Sequence, residues 1–300
     1  MANYRDFSQV FPPNLEFAYG RDIVHSIETH RKTLDGVLFI DRVLKALGLS
    51  KAKIYPPKND AALRQLHQQI CEASMSTHHK LSLFYYVLLD FDTVNSRLLP
   101  SEKFSSQFGL PMSYYTFMKG LWHMDREQFA TALEYIAHPS LVPDFADEIV
   151  TALVRHTPDN DYSLVLSYYH AVQPILKTSA ALSLLFEALA KTSISEALLY
   201  SRTHSEHTRE ALFYKLVEYA LDGVAGQNDI AFFPLDKVEE KWFEEYLTEG
   251  DGHSLKKAKD TVLVRKIVRD QLAEAGKHRV GGQWGTLLQG IRAGLQGQEE

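Results

Sequence analysis

Cysteine is almost missing from this chain: Cys71 stands alone among 300 residues. No intrachain disulfide can form, which fits a reducing compartment, cytoplasm or nucleus. Long apolar runs are missing as well. No window approaches the roughly 18 to 20 apolar residues that cross a bilayer. Residues 1–10 mix charged, polar and aromatic side chains with no apolar run of signal-peptide length. Neither secretion nor a membrane span is expected. Positive charge is not in excess either, with 32 Lys and Arg against 38 Asp and Glu, a net charge of -6. Phosphate binding needs a concentrated basic surface, so direct nucleic-acid binding by the whole domain is not expected.

The usual chemical signatures are absent too. There is no G-x-x-x-x-G-K-[ST], no G-x-G-x-x-G between a strand and a helix, no G-x-S-x-G and no H-E-x-x-H. Phosphate loops, nucleophile elbows and zincin sites are thereby unsupported. Cys71 lies in a polar stretch with no signature naming a histidine partner, and reads as structural. Histidine is more suggestive, with 13 copies including His78-His79 and His204-x-x-His207. A metal site needs a third and often a fourth ligand of the right type. His204, Ser205 and Glu206 read more simply as the start of the following helix, where Ser205 accepts backbone N–H groups and Glu206 complements the dipole. Asp90 and Asp92 end an apolar stretch, but i and i+2 do not share a helix face. They read as a polar helix terminus and turn. No catalytic residue, cofactor or metal is expected, and the chain reads as a non-enzyme.

What is present is apolar periodicity. The chain is 45% hydrophobic and 11% aromatic, and from about Arg21 to Leu272 apolar residues recur three and four positions apart. Phe129, Leu133 and Ile136 form one stripe; Val165, Tyr168, Tyr169 and Val172 a second; Leu182, Leu185, Phe186 and Leu189 a third. Leu81–Leu89 and Ala211–Leu221 are apolar nearly all round and need neighbours on both sides. Asp125, three residues before Gln128, reads as a capping box that starts a helix near Arg126. Pro111 reads as a first-turn proline. Prolines fall mostly between the stripes, so the helices are short and consecutive.

Roughly a dozen helices without long polar linkers predict an all-α fold: an irregular solenoid of stacked antiparallel pairs. Three segments follow: an aromatic-rich, extended stretch over 1–20, a helical domain over 21–275 and a flexible tail over 276–300 with seven glycines. The tail holds an apolar cluster of Trp284, Leu287, Leu288 and Ile291, and the N-terminal stretch holds Phe7 and Phe11. These six are the candidate partner-binding residues. Charge segregates near the C-terminus: Asp236–Asp251 carries seven acids and two lysines, Ser254–Arg279 eight Lys and Arg against three acids. The basic stretch reads as a solvated helix face neutralised by the acidic helix before it. Trp242, Phe243 and Tyr246 on that acidic helix point to the core.

Residues 108–156 carry more specific information. Phe108-Gly109-Leu110-Pro111 leads into a helix, Gly120-Leu121-Trp122 precedes Asp125, and Ala132-Leu133 precedes His138-Pro139. This block closely resembles the most distinctive stretch of the ELYS-like domain, and the helix with Phe84-Tyr85-Tyr86 and Leu88-Leu89-Asp90 resembles it too. The likeness runs over about 30–270. It implies a short, fungal-type member of the ELYS family: a scaffold nucleoporin of the Y-shaped complex, at the nuclear pore and nuclear envelope. The implied partners are the short-arm subunits, the β-propeller subunit and the long propeller-plus-helical subunit. Animal members add a β-propeller and AT-hook elements. Gly281-Gly282 and Arg279 form no Arg-Gly-Arg-Pro core, so chromatin anchoring is not carried over. Two alternatives remain open on composition alone: a helical adaptor of another coat or TPR-like assembly, and an all-α metal-dependent enzyme.

Overall fold

The computed structural model describes residues 3–49, 54–142, 144–156, 161–222 and 230–269. All regular structure among them is helical, as the 3.6-residue periodicity requires. The chain divides into two compact units, the first Met1–Leu184 and the second starting at Leu185.

The first unit contains α1 (Phe7–Val10), α2 (Arg21–Thr33), α3 (Phe39–Ala46), α4 (Asp60–Glu72), α5 (Thr77–Val94), α6 (Pro100–Phe108), α7 (Met112–Met124), α8 (Phe129–Ile136), α9 (Ala146–His156) and α10 (Ser163–Val172). Its centre is α5, buried at every position from Lys80 to Phe91. A helix apolar all round can only be satisfied from several sides, and α4, α6 and α7 all pack on it while α3 packs on α7. Around α5 the packing therefore departs from a simple row of nearest neighbours. The aromatic N-terminal stretch covers another part of α5. It forms one helical turn, capped by Asp6 accepting from the Ser8 N–H at 3.0 Å. Phe11 meets Phe84 edge-on, and Phe17 and Tyr19 meet Phe91 the same way.

Local signals set several helix starts. Asn59 and Ser76 accept N–H groups at the beginnings of α4 and α5, satisfying donors that have no intrahelical partner. Pro100 occupies the first turn of α6, and Pro111 is the N-cap of α7, just outside the turn expected for it. Asp125 corrects a stronger expectation. It starts no helix: α7 ends there, Glu127 turns left-handed at φ 57°, and α8 begins at Phe129. The Asp125 carboxylate faces inward and accepts the N–H groups of Phe39 and Ile40, the latter at 3.0 Å. Leu38 at the N-cap of α3 has no side-chain oxygen to offer, and Asp125 replaces it from across the fold.

α11 (Ser179–Thr192) contains the boundary between the units, and its Leu185, Phe186 and Leu189 are fully buried. In the second unit α12 (Ile194–Ser201), α13 (Glu206–Asp222), α14 (Lys237–Thr248) and α15 (Ala258–Val268) each pack on the next, the order expected of stacked helices. Trp242, Phe243 and Tyr246 are buried, as their spacing predicts. Asp236 and Glu239 form a reciprocal capping box at the start of α14. The basic α15 does pair with the acidic α14, Arg265 with Glu240 and Lys266 with Glu244. The basic stretch is only partly a solvated face: Lys256, Lys259 and Arg269 are exposed, but Arg265 and Lys266 are buried. Arg265 is only 5% exposed and also donates to the carbonyls of Ile230, Ala231 and Phe233 at 2.9–3.0 Å.

Candidate partner-binding surfaces

The polar groups that suggest chemistry are occupied by the fold. Asp90, expected at a polar helix terminus, is fully buried. Its Oδ2 accepts the hydroxyls of Tyr19 and Tyr55, both at 2.7 Å. Its Oδ1 accepts Trp122 Nε1 at 2.8 Å and Arg126 Nη2 at 2.9 Å. Burial holds both tyrosine hydroxyls well above their ordinary titration range, so they stay donors. Arg126 also stacks 3.8 Å over the Trp122 ring. Asp92 faces elsewhere, accepting Ser101 N at 3.0 Å and the Ser101 hydroxyl, which ties the end of α5 to α6. The two carboxylates thus share neither partner nor proton.

Cys71 lies 3.8 Å from His67 Nε2. Burial pushes the thiol up and the imidazole down, the reverse of an activated thiolate–imidazolium pair. His204 Nδ1 meets the Tyr200 carbonyl at 3.0 Å, and α13 begins at Glu206. Among the described residues no three His, Cys, Asp or Glu side chains are arranged to hold a metal.

Two grooves with an apolar lining stand out among the described residues of the first unit. A groove of about 440 Å³ is lined by Phe7, Phe11, Pro12, Pro13, Phe17 and neighbours from α4 and α5. Phe11 is 6% exposed and spent on the chain's own core, packing edge-on against His67 and Phe84 and tilted against Phe7 and Phe91. Phe7 is half-buried, with the Arg64 guanidinium 4.1 Å over its ring and Asp60 paired to Arg64 at 2.7 Å. Of the two phenylalanines expected to face a partner, Phe7 therefore keeps the more open surface. Trp284, Leu287, Leu288 and Ile291 lie outside the described residues.

The second groove, about 450 Å³, was not visible in the sequence. Val43 and Leu47 of α3 and its C-terminal end, Phe117 and Met118 of α7, Phe145 and Ile175 form its apolar surface. Phe145 lies parallel to Phe117, 9° between planes and 6.4 Å between centroids. Its backbone is left-handed at φ 55°, an uncommon conformation for a bulky side chain. Asp144, Asp147 and Glu148 edge one side. Asp147 accepts the Lys177 N–H at 2.9 Å, fixing the segment that carries Ile175. Periodicity could not separate these residues from the core, since Phe117 and Met118 belong to the same apolar run as buried Leu121 and Met124.

The sequence profile of the ELYS family, described as nuclear pore complex assembly, matches residues 37–250, which take in this groove, α5 and both buried aspartates. The chain belongs to the ELYS family. A curated relative, "Uncharacterized protein ely5" of Schizosaccharomyces pombe (strain 972 / ATCC 24843), is 28% identical over 166 residues, 54% of this chain and 52% of the relative. The chain thus spans about half the length of the curated relative it matches. The family description points to the nuclear pore and nuclear envelope as the place of action. In ELYS terms, the block Phe108–His156 that carries the resemblance supplies core contacts: Trp122 and Arg126 to Asp90, Asp125 to α3, Gly120 to α8. Among the described residues, no helix is long and apolar enough to cross a membrane.

Proposed function

We propose that this ELYS-family chain is a non-enzymatic scaffold nucleoporin that binds the short arm of the Y-shaped complex, through its β-propeller subunit and its long propeller-plus-helical subunit. The observation that carries the reading is the family match over 37–250. The polar side chains supply a supporting argument. Asp90, Asp92, Asp125 and Glu239 each have their hydrogen bonds filled by this chain, so they act as structural connectors. Packed helices of this kind hold partners through a few apolar anchors ringed by polar contacts.

The tail cluster Trp284, Leu287, Leu288 and Ile291, with Phe7 at the other end, supplies such anchors. Purified short-arm subunits are expected to retain the full chain and to lose most of it when the chain ends at Gly276. Undiminished retention of the shortened chain would remove the tail from the interface, and failure of the full chain to bind either subunit would overturn the short-arm assignment. In cells, a tagged chain is expected at the nuclear rim, whereas a vesicular pattern would favour a coat adaptor.

A further inference from the structure

The acid-edged groove of the first unit has features of a docking site rather than of a packing defect. Its volume, about 450 Å³, lies within the roughly 300–1,000 Å³ common for ligand clefts. Its apolar side chains come from separate segments, α3, α7, the entry to α9 and the chain after α10. Four of them are only partly covered by this chain: Leu47, Phe117 and Phe145 are half-buried and Ile175 is 85% exposed. Val142, just before the groove's acidic edge, is 78% exposed. Large apolar side chains left out beside a concave apolar surface mark an interaction site more often than isolated exposed ones do. Phe145, left-handed at φ 55°, lays its ring parallel to that of Phe117, and the two rings form one wall of the groove.

The charge at the edge identifies the occupant. Three carboxylates, Asp144, Asp147 and Glu148, line the groove against one lysine, Lys177, and His79. Asp147 is engaged by the Lys177 backbone N–H. Asp144 is exposed and Glu148 half-exposed, and no ion pair engages either among the described residues. No sheet edge exists among the described residues to pair with an extended strand. Helix-in-groove recognition places apolar side chains at i and i+3 or i+4 into such a cleft, with charges at the margin.

We propose that this groove docks an amphipathic helix of another polypeptide, one that buries two or three apolar side chains on Val43, Leu47, Phe117 and Phe145 and places Lys or Arg beside Asp144 and Glu148. The inference rests on the scaffold reading above and adds the site and the chemistry of one partner.

The test places a photocrosslinker in the full chain as Ile175→p-benzoylphenylalanine, at a side chain already in solvent, and maps the adduct by peptide sequencing in cells where the nuclear-rim signal of the same chain is recorded. The expected adduct is a segment of a second protein with apolar residues at helical spacing and flanking Lys or Arg. Asp144→Lys with Glu148→Lys is expected to cut its yield about tenfold, and changing the flanking Lys or Arg of the partner to Glu is expected to restore it. Both changes lie at exposed or half-exposed positions, and an unchanged thermal midpoint shows that the fold is intact. Adducts confined to this chain or a second copy of it, to an acidic segment, or unaffected by the charge reversal would overturn the proposal. A parent chain, with Asp144 and Glu148 in place, that gives no groove adduct while the rim signal is retained is a failure of this inference alone. Absence of the rim signal in the parent chain is a failure of the scaffold reading.

Discussion

Asp90 has no water to fall back on: it is fully buried, and four donors converge on its two oxygens. Asp90→Asn keeps the shape but removes the negative charge facing Arg126 and turns an NH2 group toward two donors. Breaking one side of a buried pair costs about 3–5 kcal/mol, and the slight exposure of Arg126 places the expected loss near the lower figure. Urea unfolding measures it, and a change under about 1 kcal/mol, the worth of a typical hydrogen bond, would show that the charge is not needed. Asp125 poses the opposite problem. Burial pushes its carboxyl up to about 7, against hydrogen bonds from Tyr86, Ile40 and Phe39 that pull it down, and Asp41 nearby adds to the rise. A folded-state value above the unfolded one means that the native state holds the extra proton, so this group's contribution to stability falls as pH rises from about 4 to about 7. Compared with Asp125→Asn, which cannot titrate, the parent chain should lose up to about 1.4 kcal/mol of relative stability per pH unit across that window, and nothing further above it. A flat difference from pH 4 to 7 would contradict the raised value.

Helix contacts carry the next set of consequences. α7 crosses α8 at Gly120, where an added Cβ would sit 2.4 Å from Ile136 Cγ2 and 3.2 Å from the Ile136 backbone nitrogen. Ala is the better helix former by about 1 kcal/mol, so propensity alone predicts that Gly120→Ala stabilises. Overpacking costs about 1–3 kcal/mol, and because backbone stands behind the side-chain atom, the clash should win. Thermal unfolding should show a lower midpoint; a higher one would mean that α8 can slide away freely. Arg265 argues the same point in the second unit. Arg265→Ala leaves the carbonyls of Ile230, Ala231 and Phe233 without this donor, while the Glu240 carboxylate keeps Arg269 at 2.8 Å, an expected loss of about 3 kcal/mol from the three buried carbonyls, measurable in urea. At this scale the sequence is readable in part. The stripes of α8, α10 and α11 and the all-round apolar α5 follow from period alone. Asp125 does not, because its capping chemistry is recognisable while its recipients lie 85 and 86 residues away. Asp90 is hidden for the same reason, since its partners come from residues 19, 55, 122 and 126.

For the molecule as a whole, charge decides more than any single contact. The family places this chain at the nuclear pore, yet its net charge is -6, and much of its positive charge is already committed. Arg126, Arg202, Arg209, Arg265 and Lys266 are paired with carboxylates inside this chain, which leaves them little to offer phosphates. The docking groove is itself acid-edged, and it escaped sequence reading because it is assembled from α3, α7 and two connecting segments whose apolar residues look like core residues one at a time. Binding to a DNA duplex requires several lysines or arginines to displace counterions together, and its affinity falls steeply with salt. The full chain is therefore expected to show no retention on duplex DNA at about 150 mM salt, where the Debye length is near 8 Å, while its protein partners remain bound. Retention that persists at that salt and falls with a slope of several ions would mean that the residues beyond Arg269 supply a basic surface strong enough to override the acidic body.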